Sequence, residues 1–196
     1  MSILALTSNT LSSTAGAGNL EYNGQFYATD TNASRAQLER IVQSTAVAST
    51  SGTTIDFTGI PAWAKRITIM FNGVSTNGSS SYLVQIGSGS TTITGYGSSS
   101  GGSANATTPS VSLSTAGFII YNDAAASVIS GAMQIYNISS NNWVSNHSVG
   151  RTNVAVFFTG GGNSPALSGT LDRVRITTVN GTDTFDAGSI NIMYEG

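Results

Sequence analysis

Trp143 sits in the run Asn141-Asn142-Trp143-Val144-Ser145-Asn146-His147-Ser148, one indole among three amides and the only histidine of the chain. That mixture suits a sugar. An aromatic ring covers the apolar face of a pyranose, and planar amides and an imidazole answer its hydroxyls. Tyr96 stands beside a long Gly/Ser-rich segment, where adaptable polar contacts would serve the same ligand. Tyr96, Trp143, Asn146 and His147 are therefore the candidate glycan-binding residues. The alternative for Trp143 is a core or interface position. Trp63, in Ile60-Pro61-Ala62-Trp63, is expected to pack beneath a turn.

Other chemistry finds less support. A Ser-His-Asp arrangement needs an ordered nucleophile and an orienting carboxylate, and the residues around His147 nominate neither. A histidine metal site needs partner ligands that a single histidine does not provide. Glycoside hydrolysis needs two carboxylates across one bond. Nothing in the spacing of Glu21, Asp30, Glu39, Asp56, Asp123, Asp172, Asp183, Asp186 and Glu195 singles out such a pair. Asp183 and Asp186 follow the turn Asn180-Gly181. They read as turn caps or, alternatively, as oxygen ligands for a cation. No enzymatic activity, cofactor or metal is expected.

The residues that must position these side chains are unusual in composition. Only 8% of the 196 residues are charged, while 39% are hydrophobic. The apolar residues come in short alternating bursts between turn formers, the pattern of strands that bury one face. Seven basic and nine acidic residues leave a net charge of −2. Phosphate neutralisation needs clustered Lys and Arg, so no nucleic-acid partner is expected. The chain has no Cys, which removes disulfides and thiolate metal sites. The start, MSILALTSNTLSS, has neither a basic segment nor a long apolar run, so it does not read as an export signal. No stretch reaches the roughly 18 apolar residues of a membrane span.

Residues 1–30 read as an extended arm ending in a small hairpin. Asn23-Gly24 lies between Leu20-Glu21-Tyr22 and Phe26-Tyr27, and Asn-Gly supplies the positive φ that a type I′ turn requires. So small a hairpin must pack on something else. Residues 31–47 read as a short helix or neck. Ser34 and Gln37 have capping-box spacing, and Leu38, Ile41, Val42 and Thr45 recur at i, i+3, i+4 and i+7. Residues 48–196 read as a β-sandwich of nine or ten strands. Its apolar positions include Ile55/Phe57, Ile67/Ile69/Phe71, Tyr82/Val84/Ile86, Met133/Ile135, Val174/Ile176 and Ile190/Ile192, with a weak strand at Ile93 and Tyr96. Residues 97–110, nearly all Gly, Ser, Ala, Asn and Thr, read as a long mobile loop. The expected fold is all-β, a jelly-roll-like sandwich with an N-terminal arm.

Three segments resemble a known family. Gly16-Ala17-Gly18-Asn19-Leu20-Glu21-Tyr22-Asn23-Gly24, followed by Phe26-Tyr27, is similar to a segment of bacteriophage tail and fibre proteins. Phe57-Thr58-Gly59-Ile60-Pro61-Ala62-Trp63-Ala64-Lys65-Arg66-Ile67-Thr68-Ile69-Met70-Phe71-Asn72-Gly73-Val74 resembles the start of a β module of phage virion proteins. Asp186-Ala187-Gly188-Ser189-Ile190-Asn191-Ile192-Met193-Tyr194-Glu195 is similar to its close. The resemblance runs from residue 16 to the end. It implies a virion fibre or tail component that assembles as a homotrimer with a jelly-roll-like domain, and it leaves the position in the particle open. The expected role is a tail fibre touching the host surface, with the N-terminal arm and its small hairpin holding it to other virion proteins. A host surface glycan is the expected outer partner. The alternatives are a head fibre or capsid decoration protein, and then a carbohydrate-binding module or glycan-acting enzyme.

Overall fold

The computed structural model describes residues 17, 19–23, 26–30, 32, 34–104 and 109–196. The described residues form strands and connecting turns, with no helix among them. In chain order the strands are β1 Leu20–Tyr22, β2 Phe26–Thr29, β3 Arg35–Gln37, β4 Ile41–Gln43, β5 Val47–Ala48, β6 Ile55–Thr58, β7 Arg66–Thr76, β8 Tyr82–Ser88 and β9 Ser90–Thr91. They continue with β10 Gly97–Ala104, β11 Ser110–Ser114, β12 Phe118–Ile120, β13 Ile129–Ser139, β14 Asn142–Arg151, β15 Val156–Asn163, β16 Arg173–Thr178 and β17 Phe185–Glu195. Two compact units result, Met1–Arg40 and Ile41–Gly196.

In the first unit, β1 and β2 form the expected hairpin, with Tyr22 opposite Phe26. Gly24 of its turn, and residues 1–16 of the expected arm, lie outside the described residues. The helix expected over residues 31–47 is replaced by three strands. β3 pairs β2, while β4 and β5 pair β17. The physical reason is competition. Asp30 Oδ1 accepts the N–H groups of Asn32 and Ser34, making a turn that returns the chain along β2. Ile41, Val42, Thr45 and Val47 are β-branched and stiff at χ1, and β17 offers them a ready ladder. The apolar spacing that suggested a helix has no buried face, since Leu38 and Ile41 are exposed.

The second unit packs a large antiparallel sheet, β11-β10-β15-β14-β13-β7-β17-β4, on a smaller one, β12-β8-β16-β6. Eight strands wind in nested order. β4-β17-β7-β13 lie side by side in one sheet and β6-β16-β8-β12 in the other, so the first strand meets the last and the second meets the next to last. Such Greek-key winding is a feature of β-sandwiches. Period-two alternation fills the interior: Ile67, Ile69 and Phe71 on β7, Met133 and Ile135 on β13, and Ile190 and Ile192 on β17. Val84 and Ile86 of β8, with Val174 and Ile176 of β16, face them in the same core. Near the start of β17 the ladder to β7 slips twice. Gly188, at φ 88°, lies against the backbone there, where a Cβ would stand 2.3 Å from the Gly73 carbonyl oxygen. Trp63 meets the Tyr194 ring at 5.6 Å.

The loop expected over residues 97–110 is mostly strand, with residues 105–108 outside the described residues. β10, Gly-Ser-Ser-Ser-Gly-Gly-Ser-Ala, pairs both β11 and β15. Its inward serines complete the sandwich. Ser98 Oγ donates to the Gly117 carbonyl at 2.7 Å and accepts the Ile119 N–H at 3.1 Å. Ser100 Oγ accepts the Tyr121 N–H at 3.0 Å. Both N–H groups belong to the β12 segment, at the edge of the small sheet, so side chains of one sheet stand in for ladder partners of the other. Ser98→Ala is expected to leave a buried N–H and a carbonyl unpaired and to cost about 1–3 kcal/mol, read as a lowered urea midpoint. The weak strand expected at Ile93 and Tyr96 is absent, because those residues form the crossing between β9 and β10.

Candidate functional site

β14 decides the fate of most of the sugar-site candidates. A strand sends successive side chains to opposite faces, so Trp143, Ser145, His147 and Val149 point inward while Asn146 and Ser148 point out. Trp143 is 3% exposed and His147 2% exposed. The indole therefore offers no ring face to a sugar and belongs to the hydrophobic core. Tyr96 is likewise a core residue. Its hydroxyl accepts the Ile86 N–H at 2.9 Å and lies 3.0 Å from the Thr92 carbonyl, a hydrogen-bond acceptor. Burial pushes its phenol up to about 12. Of the four candidates the structure leaves only Asn146 at the surface.

His147 has a specific buried partner, since its Nε2 lies 2.9 Å from Ser100 Oγ. Ser100 Oγ also accepts the Tyr121 N–H, and its second lone pair and its own hydrogen let it meet either neutral tautomer of the ring. Burial lowers the His147 pKa from 6.5 to about 4. Serine and histidine thus meet, but as an interior pair. Gly97-Ser98-Ser99-Ser100-Gly101 spells the Gly-x-Ser-x-Gly pattern, but its central serine is Ser99, which faces outward away from His147, and the segment runs as a straight strand rather than the strand-to-helix elbow that exposes a nucleophile. Gly160 makes the approach possible. A Cβ there would lie 2.2 Å from the Ser99 carbonyl oxygen and 2.6 Å from His147 Cε1.

Most of the carboxylates are used structurally. Glu21 pairs with Arg35, Asp56 with Arg175, Asp123 with Arg151, Asp172 with Arg173 and Glu195 with Arg66. Asp183 caps its loop, accepting the Ser80 N–H at 3.0 Å and the Asn180 amide at 2.5 Å. Among the described residues no three His, Asp or Glu side chains gather as a metal site.

What remains for contact is the outer face of the large sheet. The registers align Leu113, Ser99, Gly161, Asn146 and Gln134 in one row across five strands. The next row runs Val111, Gly101, Thr159, Ser148 and Ala132. Neither row carries a charge. The glycines leave bare backbone between a ridge, Val111 at 77% and Leu113 at 83% exposure, and the polar side chains of β14. Phe157, opposite Gly150, is also exposed. A shallow concavity of about 440 Å³ opens here, bounded by Gly97, Ser99, Leu113, Thr115 and Gly161 among others. The sequence signal for this surface is the Ser-Val-Ser-Leu-Ser alternation of β11 beside a Gly/Ser run.

Compared with known proteins, the chain matches no protein-family model, no curated protein and no solved structure.

Proposed function

We propose that this chain is a structural protein of a bacteriophage particle, a homotrimeric tail fibre that meets the host surface. The observation that carries the reading is the surface of the second unit. Val111, Leu113 and Phe157 stand exposed beside two uncharged rows of the sheet face, although the interior is already closed by paired polar groups. Apolar patches rimmed by polar residues mark contact surfaces. The nested strand order further supports the jelly-roll form of the sandwich. In this reading the first unit joins the particle. Contact with a neutral host glycan falls on the outer face, where Asn146 is exposed. The burial of Tyr96 and Trp143 is an argument for the second reading, a head fibre or capsid decoration protein, because it withdraws both rings from sugar contact.

The test is assembly followed by location. Sedimentation of the purified chain is expected to give three times its 20.0 kDa mass, and a monomer at micromolar concentration would end the trimeric reading. Deleting residues 1–40, the whole first unit, should leave a folded trimer that no longer enters particles. Normal incorporation of that variant would reverse the proposed polarity. Gold label at the tail tip supports the fibre, and label over the capsid supports the decoration protein.

A further inference from the structure

We propose that copies of this chain join head to tail along the large sheet, with β11 of one copy laid against β4 of the next. The inference rests on the trimeric reading and names its interface. The two strands are the opposite edges of one sheet. An edge presents unpaired backbone groups, and proteins blunt such edges with charge, Pro, bulges or very short strands; β4 is three residues long and β11 five. Pro109 precedes one strand and Glu39-Arg40 the other, but neither Ser110-Val111-Ser112-Leu113-Ser114 nor Ile41-Val42-Gln43 itself contains a charged residue or Pro. Both edges show apolar side chains: Val111 77% and Leu113 83% exposed on one, Ile41 62% and Val42 39% exposed on the other.

Strand direction fits as well. Every pairing in the sheet is antiparallel, and the path from β11 to β4 holds eight strands. An even number makes the two edges run in opposite directions. A neighbouring copy in the same orientation therefore brings β4 alongside β11 as an antiparallel partner, and the ladder continues across the junction. The registers put Ile41, Val111 and Leu113 on the same outer face. Apolar side chains from two copies would then meet as cross-strand neighbours, the unit of sheet stabilisation.

Area is consistent with a specific contact. Val42 shares the inward row of Ile67 and Ile135, so the outer contact is made by Val111, Leu113 and Ile41, about 300 Å² of apolar surface at roughly 100 Å² each. A specific interface begins near roughly 1,000 Å², so these side chains are the apolar centre of a contact that must extend beyond the two strands. The contact joins two different surfaces. Such heterologous contacts close into a ring when the rotation allows, and the trimer sets that rotation.

The experiment uses two full-length variants. One carries Val111→Asp with Leu113→Asp, breaking the β11 edge. The other carries Ile41→Asp, breaking the β4 edge. Each is expected to raise the concentration for half-dissociation of the trimer by roughly 100-fold, with the thermal melt of the β domain showing a folded chain. Mixed one to one, they retain a single intact β11–β4 pair and should form a heterodimer that cannot close. If wild type is a monomer, the trimeric reading fails. If wild type is a trimer and both variants remain trimers, the trimer stands and this interface is wrong. Two monomeric variants that form no heterodimer also overturn the head-to-tail arrangement. Should an Asp variant fail to fold, Leu113→Ser and Ile41→Ser put the same question more gently, with the same outcomes.

Discussion

Trp143→Ala is expected to cost about 3–5 kcal/mol, the range for deleting a large buried aromatic, a large part of the roughly 5–15 kcal/mol that holds a typical domain. The ring fills the core from β14, where it is 3% exposed, and the opposing sheet closes over it only in part when it is removed. Trp143→Phe is the informative companion. The indole Nε1 is buried without an acceptor among the described groups, so Phe removes an unpaired donor while keeping most of the apolar contact. Denaturant unfolding should therefore place Phe much nearer wild type than Ala. A folded Ala variant of unchanged midpoint that no longer binds cells would return Trp143 to the surface and to the sugar.

Acid should weaken the fold through His147. Its pKa is 6.5 when unfolded and about 4 when folded, because burial disfavours the charged ring. Above pH 6.5 both states are neutral there and stability is at its plateau. Between pH 6.5 and 4 the unfolded chain takes up a proton that the folded chain refuses, so stability falls as pH falls. The whole drop is about 3 kcal/mol. About 2 kcal/mol of it comes between pH 6.5 and 5, a window in which ordinary carboxylates remain ionised. Urea midpoints across that window should slope for wild type and lie flat for His147→Gln, whatever that substitution does to stability at pH 7. Equal slopes in both proteins would mean that His147 reaches water.

The acid test also bears on the particle. In the proposed trimer, loss of the Ser100–His147 pair would loosen β10 from β12, beside the β11 edge that the next copy meets. Disassembly on mild acidification would then track the same pH window as unfolding of the isolated domain.

The class of fold was legible because its signal is local. Ile67, Ile69 and Phe71 alternate with Arg66, Thr68 and Met70, and a period of two admits one burial pattern whatever lies opposite. The same holds for Ile55/Phe57, Val174/Ile176 and Ile190/Ile192, all in the core. The short hairpin at Leu20–Tyr22 and Phe26–Thr29 was equally readable from its turn. Residues 31–47 were not, since their apolar spacing satisfies a helix on its own terms. Only β2 and β17, one near in sequence and one far, offer the backbone partners that draw them into strands. β10 was hidden for a related reason. Its Gly and Ser residues carry no hydrophobic period, and they become a strand because Ser98 and Ser100 complete the edge at β12 while Gly160 lets β15 lie close. The candidate site shows the same division. Trp143, Asn146 and His147 share one segment by sequence, but residue type does not say which face of a strand is covered. The second sheet decided that, burying the ring and the imidazole and leaving Asn146 outside, because alternation fixes which side chains share a face and only packing determines which face meets water.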